Sequence, residues 1–93
     1  MSSQRWQVLV MPSARRDLNR LAEAPATAVL ETIVRIAEAP RRVGKPLRLE
    51  LRGLWSARRG SYRIVYRIDE VRRLIEVVTI DHRSDVYRRA RRR

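Results

Sequence analysis

The sequence predicts an α+β fold in the order β-α-α-β-β-β, with a two-helix hairpin packed on one face of a small, mainly antiparallel four-stranded sheet and a polar segment at the C-terminus. Three observations carry that expectation. Apolar positions recur at helical spacing only in the first half of the chain, where prolines at positions 12, 25 and 40 punctuate them. Gly60-Ser61 separates two runs rich in aromatic and β-branched residues, which is the pattern of a two-residue type II′ hairpin turn. A further run, residues 74–80, is dense in Ile, Val and Thr and reads as a last strand.

The elements follow in order. Trp6, Val8 and Val10 alternate with Arg5, Gln7 and Leu9, so the first strand lies there. Pro12-Ser13 breaks it, and Ser13 offers a helix N-cap. Position 16 is arginine, so no capping box forms. Ala14, Leu18 and Leu21 make the stripe of a short amphipathic helix. Pro25 suits the first turn of a second helix reaching Ala39. That helix carries Ala26, Val29, Leu30, Ile33, Ile36 and Ala37 on one broad face, with Glu31 and Arg35 spaced i, i+4 opposite. Pro40 ends it. The two helices join near Glu23 and Ala24, and their apolar face needs a sheet to cover. Residues 41–52 contain Gly44 and Pro46, stop at Gly53, and read as a base-rich surface loop.

With Gly60-Ser61 as the loop, Arg59 pairs with Tyr62, Arg58 with Arg63, Ala57 with Ile64 and Trp55 with Tyr66. Trp55, Ala57, Tyr62, Ile64 and Tyr66 then share a core face, which makes Trp55 a packing residue. Ser56, Arg58, Arg63, Val65 and Arg67 share the outward face. Like charges directly opposite each other destabilise a sheet, so the Arg58–Arg63 pair reads as a site for an anion. A turn at residues 69–72 leads to the last strand. Residues 81–93 are polar, with Tyr87 and five arginines among the last six positions, and read as a short helix or a frayed tail.

Ninety-three residues suffice for one domain, residues 1–93, with one small core. The formal net charge of +12 favours a polyanionic partner such as nucleic acid, or an acidic protein. Of 22 basic residues only Lys45 is a lysine, and arginine suits bidentate phosphate contacts. Codon bias in a GC-rich genome accounts for much of that ratio, but not for the excess of bases over acids. With no cysteine, a disulfide framework and a thiolate metal site are impossible; His82 is the sole imidazole, so the sequence points to neither a zinc site nor a cofactor. The N-terminus shows no signal-peptide pattern and no apolar run approaches membrane-spanning length, so the expectation is a soluble cytoplasmic protein without a membrane partner.

The strings GKPLR (residues 44–48), GLWSARRGSYRIVYRI (residues 53–68) and DHRSDVY (residues 81–87) closely resemble the RelE/ParE superfamily of toxin–antitoxin toxins, and more specifically the RelE branch found in actinobacteria. The resemblance covers nearly the whole chain. It implies a toxin that enters the ribosomal A site, cleaves messenger RNA and so inhibits translation. In that metal-independent endoribonuclease reaction the ribose 2′-hydroxyl attacks the adjacent phosphate, leaving a 2′,3′-cyclic phosphate and a free 5′-hydroxyl. The resemblance also implies a cognate antitoxin that wraps the toxin. The complex of the two typically represses its own promoter, so promoter DNA is a partner only of the complex.

Such a transesterification needs a base near the 2′-hydroxyl, an acid near the 5′-oxygen and positive charge around the phosphorane. Arg58 and Arg63 can grip one phosphate as a fork, and Arg63 falls on the arginine of the family's YRxxY string. Arg67 adds charge to the same face. Arginine neither gives nor takes a proton readily near neutral pH, so proton transfer lies elsewhere. His82 matches the histidine of several family members, and a cationic setting favours its neutral, base-competent form. Tyr87 can orient the 2′-hydroxyl or stack on a base, or else pack the C-terminal segment on the sheet. Arg83 reads as a phosphate contact, with Asp85 orienting it or capping the next turn. Lys45, Arg48, Arg52 and the arginines of the tail would strengthen RNA association through counterion release.

One departure stands out. The best-known RelE-type toxins carry a lysine pair on the strand before the hairpin turn, whereas this chain has Ser56-Ala57-Arg58-Arg59. The charge is kept and the base is not. Either His82 takes over, or the nuclease is slow, or the chain is not a nuclease. The competing readings are therefore a ParE-like, non-catalytic inhibitor of DNA gyrase and a basic module that only binds nucleic acid.

Overall fold

In the computed structural model, which describes residues 5–82, the chain runs β1 (Gln7–Val10), α1 (Pro12–Asn19), α2 (Glu23–Glu38), α3 (Pro40–Val43), β2 (Lys45–Pro46), a 3-10 turn (Leu49–Leu51), β3 (Leu54–Arg59), β4 (Tyr62–Asp69) and β5 (Leu74–His82). The strands form one sheet in the order β1-β5-β4-β3-β2, with β1 parallel to β5 and the other pairs antiparallel. The class is that expected from the sequence and the expected elements keep their order, but Pro40 opens a short third helix, α3, where the sequence pattern predicts a surface loop. The sheet has one more strand than expected, because part of the segment read as a surface loop pairs with β3. A two-residue strand has no alternation to betray it.

The β3–β4 hairpin has the register its turn chemistry predicts: Arg59 opposite Tyr62, Arg58 opposite Arg63, Ala57 opposite Ile64 and Trp55 opposite Tyr66. Gly60 takes φ +59, the left-handed first position that a type II′ turn demands. Alternation then sends Ala57, Ile64 and Tyr66 into the core with Val29, Ile33, Ile36, Ile75, Val77 and Ile80. The outward face is less open than expected. Val65 is 0% exposed, covered by Leu51 and Leu54 where the 3-10 turn folds over the sheet.

Both helices depart in detail from the sequence expectation. In α1 the N-cap is Met11 with Pro12 in the first turn, while Ser13 lies inside the helix and donates its Oγ hydrogen to the Val78 carbonyl at 2.8 Å. Glu23 and Ala24 belong to α2, so the helices join at residues 20–22. On α2, Leu30 is 46% exposed and Thr32 takes its place in the buried face. The Thr32 hydroxyl donates to the Ala28 carbonyl at 3.0 Å, which removes most of the cost of burying it. Glu31 pairs with Arg59 of β3 at 3.2 Å, a contact between helix and sheet that the i, i+4 spacing does not foresee.

How α1 docks explains why β5 can outrun β1. The parallel pairing stops at Val10 opposite Val77, and the remaining edge of β5 needs other partners. The N–H of Met11 donates to the Val77 carbonyl at 2.9 Å, Ser13 covers Val78, and the N–H of Ile80 donates to the carboxylate of Asp17 at 2.9 Å. One side of a helix thus completes the edge of a sheet. A bulge on β5 accompanies it, since Val65 pairs with Thr79 and Tyr66 with Val77, leaving Val78 as the extra residue.

Candidate functional site

Three registers assemble one charged groove on the outward face. The hairpin sets Arg58 opposite Arg63, β2 sets Lys45 opposite Ser56, and β5 sets Asp81 opposite Arg63. Lys45, Ser56, Arg58 and Arg63 line a concavity of about 500 Å³ whose flanks are Val43 and Leu47. Three cations and one hydroxyl thus face a common volume, with apolar side chains beside them. Concave, cationic walls concentrate positive potential and attract an anion. A phosphate can accept several charge-assisted hydrogen bonds there at once.

The segment that delivers Lys45 is held by a buried phenol. Tyr66 points into the core, and its hydroxyl donates to the Pro40 carbonyl at 2.6 Å and accepts the N–H of Gly44. Burial pushes the Tyr66 hydroxyl up to about 12, against a small opposing effect of the Gly44 N–H. The sign of the linkage follows. An unfolded chain ionises this phenol near pH 10.0, while the folded one keeps it neutral to about 12. The associated stability is complete below that window and falls by about 2–3 kcal/mol as pH rises through it. Urea midpoints measured from pH 10 upward should fall more steeply for wild type than for Tyr66→Phe. Parallel curves would show that the buried hydroxyl is not perturbed.

The groove does not gather every residue the sequence singles out. Arg67 lies four positions along β4 from Arg63, about 13 Å away by strand rise, and its guanidinium pairs with Glu76 at 2.9 Å. It borders a separate cavity of about 280 Å³ with Met11, Pro12, Ser13, Arg16 and Val78. Arg48 is exposed at the entrance to the 3-10 turn and is not part of the groove wall. His82 closes β5 with its backbone opposite Tyr62, in the row of Arg59, whereas Asp81 occupies the row of Arg58 and Arg63. Arg83, Asp85, Tyr87 and the arginines of the tail lie outside the described residues.

Two features of the groove escape a reading of the sequence. Lys45 gains its place beside Ser56 only through the pairing of β2, and Asp81 stands opposite Arg63 only through the bulge at Val78 that sets the register of the end of β5. The like-charge pair is therefore not isolated. A carboxylate stands across the next strand from Arg63. A weak signal for Lys45 does exist in the sequence, since Gly44-Lys45-Pro46 belongs to the string on which the family resemblance rests.

Comparison with known proteins agrees with this architecture. The family model described as the ParE toxin of the type II toxin–antitoxin system parDE matches residues 8–87. Toxin RelG of Mycobacterium tuberculosis is 49% identical over 85 residues, covering 90% of this chain and 98% of its own. Toxin RelE of the same organism is 45% identical over 84 residues, covering 89% and 87%. Among solved structures, the toxin–antitoxin complex RelBE2 of M. tuberculosis contains a chain of 44% identity that superposes with a TM-score of 0.80, covering 85% of this chain and 99% of that one. The isolated RelE toxin of E. coli shares the fold at 19% identity, with a TM-score of 0.72 over 91% of this chain and 94% of its own. The chain belongs to the RelE/ParE superfamily of type II toxin–antitoxin toxins, on its RelE-like side.

Proposed function

We propose that this toxin is a ribosome-dependent messenger RNA endoribonuclease, held inactive by a cognate antitoxin and acting in the cytoplasm. The observation that carries this reading is the groove of Lys45, Arg58 and Arg63, a cationic concavity suited to a phosphate. In the reaction the 2′-oxygen bonds to phosphorus, the bond to the 5′-oxygen breaks, and one proton leaves the first oxygen while another reaches the second. Arg58 and Arg63 stabilise the extra negative charge of the phosphorane, and Lys45 holds the strand beside it. Arginine holds charge without exchanging a proton, so His82, at the end of β5, takes the base role in this reading. Tyr87 orients the ribose or its base, and Arg48, Arg67 and Arg83 provide outlying charge along the RNA. The antitoxin is inferred from relatives crystallised as toxin–antitoxin complexes.

The test is expression of wild type, Arg63→Ala and His82→Ala, with primer extension across a translated message. Ribosome-dependent cuts that are lost in both variants support the proposal. Because the matching family model is described as ParE, a non-catalytic gyrase inhibitor is the second reading. Intact messages together with accumulated gyrase–DNA breaks would establish it instead.

Arg58 offers a separate check. Its neighbour Arg63 carries the same charge directly opposite, so Arg58→Ala should leave the free protein as stable as wild type or more so, while cleavage falls. A lower melting temperature for the variant would show that the pair is structural.

A further inference from the structure

Lys45 is held in the groove by very little of its own strand. β2 contributes two residues, one of which is Pro46 and lacks an N–H; the Leu47 N–H continues the edge pairing onto the Leu54 carbonyl at 2.8 Å, but so short a strand does not by itself fix its position. The constraint comes from the other side of the sheet. Tyr66 lies on β4 three residues beyond Arg63, with Arg63 on the outward face and Tyr66 buried at 0% exposure in the core. Its hydroxyl takes hold of both ends of α3, at the Pro40 carbonyl and the Gly44 N–H.

Two residues are specialised to this contact, Tyr66 by its hydroxyl and Gly44 by its lack of a side chain. The ring of Tyr66 accounts for the packing, including its stacked contact with Trp55 at a centroid separation of 6.5 Å, and phenylalanine would serve that purpose equally well. A buried hydroxyl costs free energy unless its hydrogen bonds return it, so the oxygen is explained by what it binds. Gly44 supplies the matching vacancy. A Cβ at that position would lie 2.1 Å from the Tyr66 oxygen and 3.0 Å from the Ser56 carbonyl, so no larger residue lets the chain approach. The residue after this close contact is Lys45.

We propose that Tyr66 is a positioning residue, whose hydroxyl clamps the Pro40–Gly44 turn and thereby sets Lys45 beside Arg58 and Arg63. Its catalytic consequence rests on the endoribonuclease reading. One strand then carries a phosphate-binding arginine on one face and, on the other, the pin that places the third cation. Their separation is fixed by the backbone of β4.

The test is a double-mutant cycle read by cleavage of a translated message on ribosomes, together with amide hydrogen exchange on the free proteins. Tyr66→Phe should slow cleavage roughly tenfold to a hundredfold, the scale expected when a reacting group is displaced by a fraction of its contact distance. In a Lys45→Ala background the same substitution should have no further effect, since it acts through Lys45. Effects that multiply in the double variant would overturn the proposal. In the exchange experiment the amides of Gly44, Lys45 and Leu47 should open faster in Tyr66→Phe while those of Ile75 and Val77 stay protected. Uniform acceleration, or no change at residues 44–47, would also overturn it. Local acceleration in a protein whose wild type cuts no message would support the clamp while removing the endoribonuclease reading.

Discussion

Arg63→Ala is expected to slow ribosome-dependent message cleavage by about 10²–10³-fold while the protein stays folded, the scale seen when one preorganised donor to a developing oxyanion is removed. Arg63 is the central member of the row Arg58–Arg63–Asp81 and lines the groove that contains Lys45. Its position on β4, between two neighbouring strands, makes it the most rigidly placed cation of the three. Arg63→Lys should recover only part of the loss, because a point charge cannot reproduce the planar two-pronged contact. Single-turnover rates on ribosomes programmed with a defined message, alongside thermal melts of each variant, give the comparison. A folded Arg63→Ala protein that cuts at the wild-type rate would remove the groove from the mechanism.

Asp17→Ala should have the largest effect on stability, a loss of about 3 kcal/mol or more. The carboxylate is 3% exposed, accepts the N–H of Ile80 at 2.9 Å and meets the Arg20 guanidinium at 2.8 Å. Without it, a buried backbone N–H loses its acceptor at the point where β1 no longer covers the edge of β5. A domain of this length has a total stability of roughly 5–14 kcal/mol, so the loss is a substantial fraction of the whole. Asp17→Asn keeps an acceptor oxygen and should lose less. Urea unfolding of the three proteins checks the order. Equal midpoints would mean that α1 does not complete the sheet through this residue.

The parts of the molecule legible in advance are those governed by neighbours in sequence. Gly60-Ser61 specifies a turn, the turn specifies a register, and alternation then assigns Arg58 and Arg63 to one face and Ile64 and Tyr66 to the other. The helices were visible through their spacing, although not their exact faces. Leu30 and Thr32 are both about one residue's rotation from the core side of α2, and only the packing against the sheet chooses between them. Ser13 has the chemistry of an N-cap, yet the helix starts two residues earlier, at Pro12, and the hydroxyl is spent on β5 instead.

By itself the sequence determined the fold class, the hairpin and the opposed arginines, because periodicity and turn chemistry act over a few residues. Only the tertiary structure decided what surrounds those arginines. Lys45 reaches them through a two-residue edge strand and a buried tyrosine, and Asp81 through a bulge that resets the register of β5. Arg67, which shares their face by alternation, pairs instead with Glu76. The physical reason is the same in each case. Edge pairing, bulges and ion pairs between strands depend on which distant segments meet, and a local pattern carries no record of that meeting.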